Sequence, residues 1–211
     1  MQAFNHRSSH DTAERPRAES QPEQEIAPRV PNEALEAPDE ATVNAALVIF
    51  LRSFSNLVRE SKFEFFFQRV SFTPTFGKCS FTAYTDGAFR SLEQIPEQVL
   101  AILEVKKASR RSKRMSIQMQ ETAEMVGWLM TSTIDQKFMN NHPVIISQDY
   151  NELYITFASY HQDYLDYLKK ENAKITENTY LSLQTYGPFF TGNRDDMERF
   201  ATLIVAMTLA A

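Results

Sequence analysis

The apolar run from Val99 to Leu103 closes on Glu104-Val105-Lys106, and this is the feature that most narrows what the chain can fold into. A short unbroken apolar run reads as a strand buried on both faces. Residues two apart on a strand point the same way, so Glu104 and Lys106 present a carboxylate and an ammonium side by side at its end. Asp86 lies 18 positions before Glu104, in Tyr84-Thr85-Asp86-Gly87. If Asp86 closes the neighbouring strand, two carboxylates stand beside a lysine. That set can grip a hard cation and suits metal-assisted phosphodiester hydrolysis.

The chain of 211 residues is long enough for one sizeable domain with a core that needs no staples. Its single cysteine, Cys79, excludes an intramolecular disulfide framework and a Cys-rich zinc site, and reads as a small half-buried strand residue. The four histidines show no metal-ligand spacing. Met1 to His10 is polar, so no signal peptide is expected. No stretch reaches the roughly 18 apolar residues of a membrane span. The reading is an intracellular protein of nucleus or cytoplasm, with no membrane partner.

The net charge of −5 is unevenly placed. Residues 1 to 40 hold four arginines and nine acids, leaving the remainder neutral. With its Pro, Glu, Gln, Ser and Arg and no aromatic after Phe4, the stretch 1–39 is expected to be a disordered acidic tail, with the folded domain at 40–211. From Lys106 to Arg114 there are six cations and no acid. Such a patch, not the global charge, is what would meet a phosphate backbone.

Asp39 is a plausible N-cap for a helix running to about Arg59, with Ala46, Ile49, Phe50, Phe54 and Leu57 on its apolar side. Lys78 to Tyr84 reads as a strand reaching Asp86. A loop around Glu93 to Glu97 separates it from the strand Val99 to Val105. A helix then follows with the stripe Met115, Met119, Thr122, Val126 and Leu129. Val144 to Ser147 and Leu153 to Ala158 flank a hairpin turn. Leu181 to Tyr186 is a further strand, halted by Gly187-Pro188. The last helix starts near Asn193, headed by Asp195 and Asp196, with Met197, Phe200, Leu203, Ile204 and Met207 on its apolar side. Trp128 reads as core, and the tyrosines from Tyr150 to Tyr186 as sheet and interface residues. This order gives an α/β sandwich with a mixed sheet.

Asp86, Glu104-x-Lys106 and a following helix with Gln120 resemble the PD-(D/E)XK nuclease superfamily, above all its fungal nuclease-like domain group. The resemblance rests on Thr85-Asp86-Gly87, Glu104-Val105-Lys106, the basic connector Lys107 to Arg114, Gln120-Glu121-Thr122-Ala123-Glu124-Met125 and Tyr186-Gly187-Pro188-Phe189. It covers roughly residues 41 to 210. It implies a restriction-endonuclease-like core, a central mixed β-sheet flanked by helices on both sides. It further implies Mg²⁺ (or Mn²⁺) held by Asp86 and Glu104 with the Val105 carbonyl. Lys106 would position water or stabilise developing charge, and Gln120 would sit near the phosphate. Lys107, Arg110, Arg111, Lys113 and Arg114 would contact nucleic acid, DNA before RNA. Glu60 or Glu64 would supply a first-helix carboxylate. The chain departs from the pattern at Thr85, where a proline is common, and at Glu124, where relatives often have tyrosine. Two alternatives stay open: a catalytically degenerate module that binds a protein partner, and a toxin-type nuclease domain of a larger protein. The apolar helical pattern running into Ala211 leaves open that the chain is a fragment.

Overall fold

A computed structural model describes residues 39–92, 98–131, 138–170 and 173–211. The expected tail and the loop at 93–97 lie outside the described residues, Asp39 excepted. The elements are α1 (Glu40–Ser55), β1 (Phe63–Phe66), β2 (Ser71–Phe72), β3 (Thr75–Phe76), β4 (Cys79–Ser80), β5 (Ala83–Tyr84), β6 (Gly87–Ser91) and β7 (Val99–Lys106). There follow α2 (Arg110–Thr131), a 3-10 turn (Phe138–Asn141), β8 (Val144–Asp149), β9 (Glu152–Tyr160), α3 (Gln162–Lys169), β10 (Leu181–Phe190) and α4 (Arg194–Leu209).

Six strands form a mixed sheet in the order β1-β6-β7-β8-β9-β10. Every neighbouring pair is antiparallel except β7 and β8. Parallel neighbours need a long crossover, and α2 lies in that connection. Helices cover both faces. Leu103, Val105 and Ile146 face α1 and α4 through Leu47, Leu51, Phe200 and Ile204. Ile102 and Ile145 face α2 through Met125, Trp128 and Leu129, with Tyr164 and Leu165 of α3 packed alongside. Strand alternation therefore turns Glu104 and Lys106, two and four residues after Ile102, toward α2.

Several expected elements differ. Lys78 to Tyr84 is not a sheet strand: β2 pairs with β5 and β3 with β4 in a small nested hairpin. Its Phe72 stacks on Trp128, ring centroids 6.3 Å apart. The sheet strand is β6, which begins after Asp86, so Asp86 opens the neighbouring strand instead of closing it. All five β6 residues are buried, so no alternation marked them. Cys79 is exposed in the hairpin rather than half-buried. Helix α1 ends at Ser55 and buries Val43, Leu47, Val48 and Leu51, whereas Ile49 and Leu57 are exposed. A nearly all-apolar stretch cannot choose its own face. Leu203, expected on the inner side of α4, is partly exposed. Strand β10 continues past Gly187-Pro188 to Phe190 through an irregularity between Tyr186 and Phe189. An edge strand tolerates the missing N–H of proline. Tyr164 and Tyr167, expected as sheet and interface residues, lie on helix α3.

Gly87 fixes the approach of β1 to β6. A Cβ there would lie 2.4 Å from the Phe66 carbonyl oxygen and 3.1 Å from Leu103 Cδ1. Backbone must move to admit it, so Gly87→Ala is expected to cost about 2–3 kcal/mol in urea unfolding. An unchanged midpoint would show that the sheet yields there freely.

Candidate functional site

The candidate site is built where β6 begins and β7 ends. These antiparallel neighbours set Gly87 opposite Leu103, which carries the preceding Asp86 to Glu104. The Asp86 N–H donates to the Leu103 carbonyl at 2.9 Å, and the Val105 N–H donates to Asp86 Oδ2 at 3.0 Å. From α1, Asn44 Nδ2 donates to the Asp86 carbonyl at 2.8 Å. Arg69 Nη2 reaches Asp86 Oδ1 at 3.0 Å. The carboxylate is thus pinned by backbone as well as by charge.

Glu104 is 1% exposed. Its Oε1 accepts from Lys106 Nζ and, at 2.5 Å, from Gln120 Nε2. Gln120 Nε2 also donates to Glu124 Oε1 at 2.9 Å, so one amide bridges two glutamates. Lys106 Nζ donates to the Val105 carbonyl at 3.1 Å. Asp86, Glu104, Lys106, Gln120 and Glu124 line one cleft of about 350 Å³, together with Glu40, Arg69 and Tyr84. The structure therefore brings together the four side chains expected to be catalytic.

Burial and the nearby Asp86 charge push the Glu104 carboxyl up to about 7. Burial and the Glu104 charge push Glu124 to about 10. Burial opposes the charge on Lys106, but the facing Glu104 outweighs it and holds the ammonium above its ordinary range. Glu104 Oε2 and Glu124 Oε2 are buried without a hydrogen-bond partner. An unpaired buried carboxylate is costly, and a proton or a cation relieves it.

Glu124 keeps its proton to about 10 in the folded protein and loses it from its ordinary value of 4.5 unfolded. The folded state binds more protons across that interval, so this group's stabilisation is full below it and is lost as pH rises. Without divalent cations, Glu124→Gln should exceed the parent in stability at about pH 8 by on the order of 1–2 kcal/mol, with the gap closing toward about pH 5. Thermal melts across that range check this; parallel curves would show that Glu124 holds no extra proton in the folded state.

No three His, Cys, Asp or Glu side chains form a ready-made metal-binding group among the described residues. The donors nevertheless fit a hard divalent ion: the acids lining the cleft offer oxygen ligands only, and Glu104 Oε2 is buried without a hydrogen-bond partner. The Val105 carbonyl, expected to help, accepts from Lys106 here.

The basic connector divides. Lys107, Arg111, Lys113 and Arg114 are exposed. Arg110, expected to touch nucleic acid, is instead 8% exposed. Its Nε donates to Asp149 Oδ2 at 2.5 Å, its Nη2 donates to Glu121 and, at 3.0 Å, to Ser147 Oγ. Its guanidinium lies 4.2 Å from the Tyr154 ring centroid. It ties the head of α2 to β8 and is unavailable to a ligand.

Neither acid expected on the first helix lies on α1. Glu60 stands exposed beyond the end of α1, and Glu64 on β1 pairs with Arg52. The α1 acid at the cleft is Glu40, the first residue after the Asp39 cap. Arg69 was likewise missed. Its position follows from the turn between β1 and β2, which no motif marked.

No protein-family model, curated protein or solved structure matches this chain.

Proposed function

We propose that the chain is a metal-dependent nuclease with a restriction-endonuclease-like core, hydrolysing phosphodiester bonds, of DNA before RNA. One observation carries this: Asp86, Glu104 and Lys106 meet at adjoining ends of β6 and β7, with Gln120 on the next helix bonded to Glu104. The mixed sheet with helices on both faces is consistent with that core.

Asp86 and Glu104 would hold Mg²⁺ or Mn²⁺, assisted by the Val105 carbonyl next to Glu104 on β7. When bound, such an ion polarises a phosphate and makes water more acidic. Lys106 would orient a water and compensate charge gathering on phosphate oxygens. Gln120 holds Glu104 in place through its amide. The exposed Lys107, Arg111, Lys113 and Arg114 would neutralise phosphates flanking the scissile bond, so a neutral domain with one basic stripe suffices.

A second reading draws on the Lys106–Glu104 pair, in which the ammonium takes up a carboxylate oxygen that a metal would need. It makes the domain a degenerate nuclease fold that binds a partner. Calorimetric titration with Mn²⁺ separates the two. The nuclease reading predicts binding that Asp86→Asn weakens at least about tenfold. No heat of binding from the folded parent would favour the binding module.

A further inference from the structure

Met115 and Met119 are spaced to be core residues, yet they are 73% and 70% exposed. With Phe81, Ala123 and Val126 they line an apolar trough of about 380 Å³ on the outer side of α2. Phe81 and Ala123 also line the carboxylate cleft, so trough and cleft share a wall. Phe81 is held from behind by Phe76, the rings nearly parallel and 5.9 Å apart. Exposed Arg111, Lys113 and Arg114 stand in the turns just ahead of Met115. No acidic residue occurs between Glu104 and Glu121.

An apolar trough beside the proposed catalytic cleft, with exposed cations and no acid in the stretch of chain just ahead of it, fits a polyanion that can offer apolar faces. A paired duplex hides those faces inside its stack. An unpaired strand presents them, and single-strand sites combine flat apolar platforms with a basic track in this manner. Methionine adds a polarisable surface that adapts to any base. We infer that the Phe81–Met115–Met119 trough is a docking subsite for the unpaired bases of a single-stranded segment, leading its phosphates to the cleft. This rests on the nuclease reading and narrows its substrate class to single strands or splayed duplex ends.

The test is fluorescence anisotropy in EDTA, using a labelled DNA single strand of about 12 nucleotides and the blunt duplex of the same sequence. The parent should bind the single strand at least about tenfold tighter than the duplex. Phe81→Ala and Met119→Ser should each weaken single-strand binding about tenfold, and Met119→Ser, which lies outside the cleft lining, should leave duplex binding unchanged. Met119 projects into solvent, so its variant keeps the fold in place. Equal affinity for the two forms, or unchanged binding by both variants, overturns the subsite. So does a concentration-dependent dimer that Met119→Ser abolishes, which would assign the trough to a second copy. Metal-dependent duplex cleavage without single-strand preference would sink the subsite and leave the nuclease standing. Single-strand binding lost in both variants, but with no cleavage by the parent, would do the reverse.

Discussion

Lys106→Ala is expected to lower metal-dependent cleavage by about 10²–10³-fold while the protein stays folded. Two features of the site separate those effects. Lys106 donates to both Glu104 and the Val105 carbonyl, which fixes its ammonium at the cleft rather than in solvent. On the proposed mechanism, its loss removes the positive group that would face a charged transition state, where a donor matters most. The fold is spared because Glu104 already titrates near 7, pushed up by burial and by Asp86. Without its lysine, Glu104 takes up a proton instead of remaining as a bare buried charge. Circular dichroism and a thermal melt beside the cleavage assay check both halves. Cleavage by Lys106→Ala at the parent rate would remove the lysine from the mechanism.

The largest stability effect is expected at Arg110. Arg110→Ala should cost about 3–5 kcal/mol, because it strands Asp149 and Glu121 as buried carboxylates. Asp149 is 0% exposed and Glu121 2% exposed, so water cannot replace the lost guanidinium. Its Nε and Nη2 serve Asp149 on one side and Glu121 with Ser147 on the other. A lysine offers one point charge in place of that fork, so Arg110→Lys should recover little. Arg111→Ala, one residue along and exposed, should stay within about 0.5 kcal/mol of the parent. Urea unfolding of the three variants decides this. A loss below about 1 kcal/mol for Arg110→Ala would mean that α2 is held to the sheet by its apolar face alone.

The sequence made legible the elements with clear ends. Strand β7 was visible because an apolar run ended on charge, the β8–β9 hairpin because two runs flanked a polar turn, and α4 because Asn193 and two aspartates mark its start. The central pair of the site followed from period two, since Glu104 and Lys106 share a face in any strand. What failed was orientation that only tertiary packing decides. The stripe through Met115 and Met119 matched a core pattern, yet α2 turns Ile117, Glu121, Glu124, Met125 and Trp128 inward. Two glutamates on a buried face run against hydropathy, and they are inside because Arg110 and Gln120 meet them there. Arg110 and Arg111 are indistinguishable as neighbouring cations in a basic run. One helical step places the first over Tyr154 and the second in solvent. Glu40 and Arg69 reach the cleft through the start of α1 and the turn after β1, which no local spacing encodes.

The central claim is that the cleft around Asp86, Glu104 and Lys106 cuts phosphodiester bonds with a divalent cation. The most direct measurement is cleavage by the purified chain of linear, circular and single-stranded DNA and of RNA, in Mg²⁺, Mn²⁺ or EDTA, with Asp86→Asn alongside. The account predicts cutting in Mg²⁺ or Mn²⁺ that EDTA abolishes and Asp86→Asn loses. No cleavage of any substrate in either metal, by protein shown to be folded, would contradict it.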